Sequence, residues 1–177
     1  MEYNALFIGA STKDMIMLVD APPESDQRIA ASQFVVTLGG VASTAAAAHQ
    51  KLGGRTALST IVGCDEAGEY IAEDLNAQHF AWMQLLRTDK APSSISMIQV
   101  EKNGKRCITN YGGCISEMTF DRLDLSVLQK TRFLHLGVMT QVGTLLMQRG
   151  NGTLIAWFHI RTAFRCMACL LYTSRCV

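Results

Sequence analysis

The sequence predicts an α/β fold, because short apolar runs typical of strands alternate with helix-like segments over its first 140 residues. Residues 5–11 (ALFIGAS) are apolar and end in small residues, and residues 55–63 (RTALSTIVG) form a second, β-branched run. The alanine-rich segment ASTAAAAHQKL lies between them and is typical of a helix. We therefore expect a strand–helix–strand unit in which the second strand lies beside the first.

Two more extended segments are expected inside this unit, before the alanine-rich helix. Residues 15–20 (MIMLVD) indicate a strand and are followed by APPESDQ, whose prolines and acidic residues are typical of a turn. Residues 28–38 (RIAASQFVVTL) also favour an extended conformation. The chain is thus expected to make a strand, a turn and a strand before the helix.

The segment after residue 63 predicts a second helix, over residues 64–78. Its apolar residues Ala67, Ile71 and Leu75 recur at helical spacing, and acidic residues in the first turn favour the helix dipole. The run AWMQLLR then indicates a return to a strand.

A β-hairpin is predicted around Asn103-Gly104, the strongest short hairpin signal in the chain. The extended runs SSISMIQV and KRCITNY flank it. Further on, DRLDLSVLQ is typical of a short amphipathic helix, and residues 130–139 (KTRFLHLGVM) indicate another apolar strand.

Composition and charge limit the classes of function. With 177 residues, 49% of them hydrophobic, the chain fits one globular domain or a piece of a larger one. A formal charge of +1, without a basic stripe, argues against nucleic acid and favours a small neutral or anionic ligand. No basic leader precedes the first apolar residues, and those residues are too few for a membrane span. We expect a cytoplasmic protein without a membrane partner.

Residues 149–177 form an atypical tail, because they contain no aspartate or glutamate. The tail is interpreted as a frame-shifted or read-through end, with no function attached to it. A zinc set of His159, Cys166, Cys169 and Cys176 can be written, but a lone C-x-x-C without a second pair is a weak signal. No metal site is predicted.

The stretch LGGVASTAAAAHQKLGG supports two interpretations. Gly39 and Gly40 place bare backbone before a helix, and the N-terminus of a helix attracts oxygen-rich or anionic groups. Ser43 and Thr44 lie in its first turn, where a hydroxyl caps the helix or points into a site. In the alternative, the glycines only form a tight turn and the alanines only permit close packing on a sheet. The spacing differs from the dinucleotide G-x-G-x-x-G, which argues against an oxidoreductase.

Four segments resemble, in order and spacing, the ribokinase-like sugar kinases of the PfkB family. They are GAST-KD with Asp14, the glycine-pair segment GGVASTAAAAHQKLGG, STIVGCDEAGEYI, and the hairpin SSISMIQVEKNGKRCITNYGG. Together they cover roughly residues 4 to 140. The resemblance implies a three-layer α/β/α sandwich with a small β-sheet lid, built from strands within about residues 15–38 and 93–111.

The second signature of that family, a G-A-G-D segment that supplies the catalytic aspartate, is not found in these residues. Residues 1–148 are therefore interpreted as the N-terminal part of a sugar kinase domain that lacks its C-terminal half. The family implies transfer of the ATP γ-phosphoryl group to a sugar hydroxyl, with Mg²⁺ on the phosphates. This chain is expected to carry the sugar-binding half, to contain no catalytic residue and to be inactive alone.

The resemblance also implies the residues that contact the sugar. Asp14 would accept hydrogen bonds from hydroxyls, the glycine pair would approach with its backbone, and Asn110 would donate. The alternative roles are a turn-capping acid for Asp14 and a strand-end residue for Asn110. The implied sugar-binding residues are Asp14, Gly39, Gly40, Thr44 and Asn110.

One departure points to particular branches of the family. Thr44 stands where many relatives have asparagine, and together with the Asn110-Tyr111 pair this is similar to the sulfofructose kinase branch, with ketohexokinases also near. The positions aligned with the basic sulfonate contacts of that branch hold Gln27 and Val138. Arg28 lies next to the first of these positions, and Arg28 and Arg106 are the predicted contacts for an anionic sugar.

A homodimer through the lid is the predicted assembly. The alternative to a kinase half is a non-catalytic sugar-binding or oligomerising half-domain.

Overall fold

The computed structural model describes residues 1–137 and 165–169. Within these ranges the chain forms nine strands, two α-helices and three short 3₁₀ helices. In chain order the elements are β1 (Tyr3–Ile8), β2 (Thr12–Val19), β3 (Gln33–Gly39), α1 (Val41–Lys51), β4 (Thr56–Gly63), α2 (Glu66–Ala77), β5 (Trp82–Thr88), β6 (Ile95–Glu101), β7 (Arg106–Tyr111), 3₁₀ helices at Gly113–Glu117, Phe120–Arg122 and Leu125–Lys130, β8 (Thr131–Gly137) and β9 (Arg165–Cys169).

The main sheet is parallel and has the strand order β5-β4-β1-β8-β9. β1 pairs with β4 from Ala5 opposite Thr56 to Ile8 opposite Ser59, which confirms the predicted strand–helix–strand unit. A parallel pair needs a crossover connection, and here the crossover contains α1.

Two apolar clusters cover the two faces of the main sheet. On one face Phe7, Leu58 and Val62 pack with residues of α1 and α2, including Ala46 and Ile71. On the other face Leu6, Ile61 and Leu134 pack with side chains of the 3₁₀ segments. The two α-helices therefore cover one face of the sheet, and the 3₁₀ segments cover the other, in three layers.

A second, four-stranded sheet has the strand order β3-β2-β6-β7 and is called the small sheet below. β2 pairs with β3 and β6 with β7 in antiparallel fashion, whereas β2 and β6 run parallel. The β6–β7 hairpin turns at Gly104 with φ of 85°, which agrees with the Asn103-Gly104 signal. The strands of the small sheet lie within or next to the two ranges, about residues 15–38 and 93–111, in which the resemblance implies the strands of a lid.

Two sequence expectations are wrong in detail. Residues 28–32 are not part of a strand, because β2 ends at Val19; β3 starts at Gln33, and the N–H of Ser32 makes a last hydrogen bond to the carbonyl of Leu18. The segment DRLDLSVLQ forms 3₁₀ turns instead of an α-helix, and Asp124 accepts a hydrogen bond from the backbone N–H of Ser126 at 3.0 Å. Such a short segment closes too few α-helical hydrogen bonds to offset nucleation.

Several predictions fall on residues that the structure does not describe. The strand over residues 130–139 is observed as β8 up to Gly137, and Val138 lies outside the described residues. The domain end at 148 and the tail 149–177 lie outside them too, apart from β9. None of the described helices is both long enough and apolar enough to cross a membrane.

Candidate sugar site

The candidate site lies where the small sheet joins the main sheet, around the turn between β3 and α1. Gly40 is the N-cap of α1 and has φ of 98°, a conformation that L side chains rarely adopt. A Cβ at Gly40 would lie 2.7 Å from Cα of Ser11, in the connection between β1 and β2. The turn therefore requires glycine, and α1 begins on bare backbone.

Asp14 and Gly39 are diagonal neighbours on the same face of the β2–β3 pair, since Gly39 lies opposite Thr12. A Cβ built at Gly39 would overlap the carboxylate of Asp14, so the missing side chain leaves room for that carboxylate. Thr12 donates its hydroxyl to Oδ1 of Asp14 at 2.5 Å, and Asp14 is half-buried. One carboxylate oxygen is thus held while the carboxylate stays partly accessible.

The register of the small sheet places four polar residues in one row across it, called the polar row. Asp14 lies opposite Thr37 on one side and opposite Ser96 on the other, and Ser96 lies opposite Asn110. Because directly opposite residues share a face, the four side chains lie on the same face of the sheet. The polar row consists of Thr37, Asp14, Ser96 and Asn110.

Asn110 is oriented by its neighbours in the hairpin. Its Nδ2 donates to the carbonyl of Ile95 at 3.2 Å and to Oγ of Ser96 at 3.1 Å. Both hydrogens of the amide group then have a partner, so its Oδ1 is the atom that would meet a ligand. The geometry thus favours an acceptor at this position, where the sequence interpretation had a donor.

An apolar row lies beside the polar row on the same face of the small sheet. It lies two residues from the polar row on every strand, on the side away from the main sheet. Ile16 lies opposite Val35 and Ile98, and Ile98 lies opposite Ile108, so the apolar row consists of Val35, Ile16, Ile98 and Ile108. The face thus offers oxygen and nitrogen atoms near the main sheet and aliphatic carbon farther out.

The two hydroxyls in the first turn of α1 differ in environment. Ser43 is buried, and its Oγ donates to the carbonyls of Gly39 at 2.5 Å and Gly40 at 3.2 Å, which holds the glycine turn in place. Thr44 is exposed, and its backbone N–H donates to the carbonyl of Gly40 at 2.9 Å. Thr44 is therefore the hydroxyl of this turn that solvent or a ligand reaches.

The structure does not bring the two arginines next to the polar row. Arg106 is exposed and lies opposite Val100, four residues before Asn110, which corresponds to about 13 Å along the strand. Arg28 is exposed in the connection between β2 and β3. Both lie toward the far end of the small sheet.

A hydrogen-bond network joins the start of α2 to the start of β6. Asp65, the N-cap of α2, accepts hydrogen bonds from the N–H of Gly68 at 2.8 Å, from the N–H of Ser93 at 2.8 Å and from the Ser93 hydroxyl at 2.6 Å. Burial alone would raise the pKa of Asp65, but these hydrogen bonds outweigh it and hold the pKa below its ordinary 3.8. The Ser93 hydroxyl also accepts from the N–H of Gly63 at 2.8 Å.

Sequence reasoning singled out Asp14 and Asn110 but missed Thr37 and Ser96. The signal that places them is the register between β2 and β6, two strands about 80 residues apart in the chain. Alternation within one strand shows which residues share a face, but it does not align that strand with a distant one.

A separate cleft of about 480 Å³ lies beside the ends of β4 and β5, and none of its lining residues belongs to the polar row. The cations in it have partners within the protein: Arg87 pairs with Glu69 at 2.6 Å, and Lys90 with Glu117 at 3.6 Å. Arg122 donates to the carbonyl of Arg87 at 2.8 Å. Each of these three cationic side chains thus has a partner within the protein.

No group of three or more His, Cys, Asp or Glu side chains within the described ranges could hold a metal ion.

Three features of this fold define the ribokinase-like class of α/β proteins. They are a parallel main sheet, a helix α1 that begins directly after a glycine pair, and a smaller sheet beside the main one. The model of the pfkB family carbohydrate kinases matches residues 3–161 of this chain. The chain belongs to this family, which confirms the resemblance found in the sequence.

Solved structures show the same fold. A ribokinase from Giardia lamblia matches with a TM-score of 0.70 and 22% identity over 76% of this chain, and an adenosine kinase from Sinorhizobium meliloti with 0.65 and 25% over 77%. An Arabidopsis thaliana ribokinase complexed with ribose and ATP matches with 0.60 and 20% over 77%. This chain spans 42%, 47% and 45% of these three proteins, respectively.

Proposed function

We propose that this chain binds a sugar on the polar row, with the sugar hydroxyls against Asp14 and Asn110 and against the glycine turn. The observation that carries the proposal is the register that aligns the four polar side chains beside the start of α1. In the whole protein, this half would present a sugar hydroxyl for phosphorylation by ATP.

The chemistry of the face fits a sugar. A carboxylate accepts hydrogen bonds from two hydroxyls, and a charged acceptor makes them stronger than neutral partners do. Gly39 leaves room for the Asp14 carboxylate beside the N-terminus of α1, and that N-terminus favours electron-rich oxygen. The apolar row beside the polar row supplies aliphatic contacts for the C–H groups of the ring.

When bound, ATP with Mg²⁺ would supply the phosphoryl group and neutralise its charge. The sequence contains no G-A-G-D segment, the part of the family pattern that supplies the catalytic aspartate. No catalytic step is assigned to this chain, and its share of the reaction is to bind and orient the sugar.

A second candidate function is that of a non-catalytic half-domain that binds sugar and pairs with a second copy. Large apolar side chains on the face opposite the polar row favour it: Phe34 is 60% exposed, Tyr111 51% and Met97 47%. Such a face is typical of an interaction surface. Light scattering on the full chain tests this pairing, which predicts a dimer in the wild type and a monomer in Phe34→Ser.

The proposed function is tested by calorimetric titration of the full chain with D-ribose. We expect saturable binding by the wild type and at least about tenfold weaker binding by Asp14→Asn, because a charged acceptor is lost. Asp26→Asn, in the exposed connection between β2 and β3, is the matched control and should bind like the wild type. Equal affinity in all three proteins would refute the assignment of Asp14.

A further inference from the structure

Helix α2 contacts β2 and β3 of the small sheet near its junction with the main sheet, and the N-cap of α2, Asp65, contacts the segment just before β6. The contacts to β2 and β3 lie on the face opposite the polar row. Each contact involves a residue close in the chain to a member of that row.

The contact with β2 is made by Lys13. Its Nζ lies 5.0 Å from the ring centroid of Tyr70 and 3.4 Å from Oε1 of Glu66, both on α2. Successive side chains of a strand point to opposite faces, so Lys13 reaches α2 while Asp14 lies on the other face, in the polar row. Holding Lys13 therefore constrains the position of Asp14.

The contact with β3 is a hydrogen bond from Tyr70 to the backbone. Its hydroxyl donates to the carbonyl of Val36 at 3.1 Å. Val36 precedes Thr37, which lies opposite Asp14. A hydrogen bond to a main-chain carbonyl fixes the strand itself, independently of the side chain at that position.

The third contact lies just before β6 and is made by Asp65, the N-cap of α2. Its carboxylate binds both the N–H and the hydroxyl of Ser93, three residues before Ser96. The base of β6 is held on another side as well, because the N–H of Cys114 donates to the carbonyl of Pro92 at 2.7 Å.

Beyond these contacts the small sheet is largely open to solvent. The first three residues of β3 are exposed, as are five of the six residues of β7. Because burial away from the junction is slight, the orientation of the sheet depends on its contacts near the base.

From these contacts we propose that α2 is a strut that sets the position of the polar row over the glycine turn, with Tyr70 and Asp65 as positioning residues for the sugar. The role in sugar binding rests on the proposed function, in which the polar row binds the sugar. Neither residue needs to touch the sugar, because both act on the backbone of the small sheet from α2.

The strut is tested by site-resolved hydrogen exchange on the full chain, with Tyr70→Phe as the main variant. This change removes one hydroxyl and keeps the ring under Lys13. Exchange of the β2 and β3 amides should speed up by about three- to tenfold, and that of β1 and β4 should stay unchanged. Tyr3→Phe is the matched control, because its hydroxyl donates to Glu2, outside the small sheet. Unchanged exchange in β2 and β3, or an equal rise in β1 and β4, would overturn the proposal.

Lys13→Met is the second variant, which keeps the aliphatic stem and removes the ammonium group. It should speed up exchange in β2 without affecting β4. A lack of any change in β2 would count against the strut even if Tyr70→Phe failed to fold.

Titration with D-ribose separates this inference from the proposed function. The affinity of Tyr70→Phe for D-ribose should fall, because the polar row is held less firmly beside the glycine turn, while Tyr3→Phe binds like the wild type. Faster exchange with unchanged affinity would refute the positioning role. If the wild type itself does not bind D-ribose, the proposed function fails for that sugar, and the exchange ratio still decides whether α2 is a strut.

Discussion

The carboxylate of Asp14 occupies the space into which any side chain at Gly39 would project. The two residues lie on adjacent strands, two register positions apart, since Gly39 lies opposite Thr12 and Asp14 lies opposite Thr37. The glycine signature and the acidic residue thus form one unit, in which the missing side chain makes room for the charged one.

Gly39→Ala should displace the Asp14 carboxylate. Overpacking of this kind lowers the free energy of unfolding by about 1–3 kcal/mol, and the affinity for D-ribose should fall as well. Urea denaturation and calorimetric titration measure the two effects.

Gly104→Ala is the control for this substitution. It meets no atom within 4 Å but keeps a φ of 85°, so it should reduce stability through backbone strain alone. Loss of D-ribose affinity in Gly104→Ala as large as in Gly39→Ala would contradict the steric explanation.

Ser96→Ala tests the polar row on the β6 side. The substitution removes one of the two acceptors that orient the Asn110 amide, so D-ribose should bind about three- to tenfold more weakly. Ser32→Ala is the matched control, because its hydroxyl bonds to the carbonyl of Leu18 at the far end of the small sheet. If Ser96→Ala binds D-ribose with wild-type affinity, then neither Ser96 nor its hydrogen bond to Asn110 contributes to the site.

Two histidines make stability depend on pH. The rings of His49 and His135 lie 5.4 Å and 5.2 Å from that of Phe7, and burial lowers the pKa of both imidazoles below the ordinary 6.5. The unfolded chain therefore takes up these protons at a higher pH than the folded chain. Their stabilising contribution is full above pH 6.5 and is lost as the pH falls from 6.5 toward the folded pKa values.

The urea midpoint should therefore be lower at about pH 5 than at about pH 7.5. His135→Phe should reduce this difference, because it removes a group that must stay neutral in the fold. His79→Asn is the control, since His79 is exposed with φ of 53°, a conformation that asparagine tolerates. If His135→Phe leaves the pH dependence as large as in the wild type, the assignment to His135 is wrong.

The cysteines should differ in reactivity. Burial raises the pKa of the Cys114 thiol to about 11, and its Sγ lies 3.7 Å from the carbonyl oxygen of Ile61. Cys64 and Cys107 are exposed. Because the thiolate is the reactive form, iodoacetamide should label Cys64 and Cys107 in the native chain, and Cys114 only after unfolding. Peptide mass spectrometry measures this, and rapid native labelling at Cys114 would show that its packing is looser than described.

Local sequence patterns predicted the parts of the fold that depend on local physics. The apolar runs at residues 5–11 and 55–63 became β1 and β4, and Asn103-Gly104 became a hairpin turn. The strand predicted for residues 28–38 starts only at Gln33, because a strand also needs a paired neighbour and the pairing with β2 ends at Leu18.

The site was only partly predictable for the same reason. Gly39 and Gly40 stand out in the sequence because a positive φ or a close approach requires glycine. Ser96 does not stand out, because its role comes from the pairing of β2 with β6 across about 80 residues. The strut contacts of Tyr70 likewise depend on a distant strand, and nothing in EAGEYIAEDL marks that hydroxyl.

The most direct test of the central claim is an NMR titration of the ¹⁵N-labelled full chain with D-ribose. The account predicts that amide shifts change at the polar row and at Gly39 and Gly40, while Gly53 and the cleft around Arg87 and Arg122 stay unaffected. Shifts confined to that cleft, with the polar row unchanged, would contradict the claim that the small sheet binds the sugar.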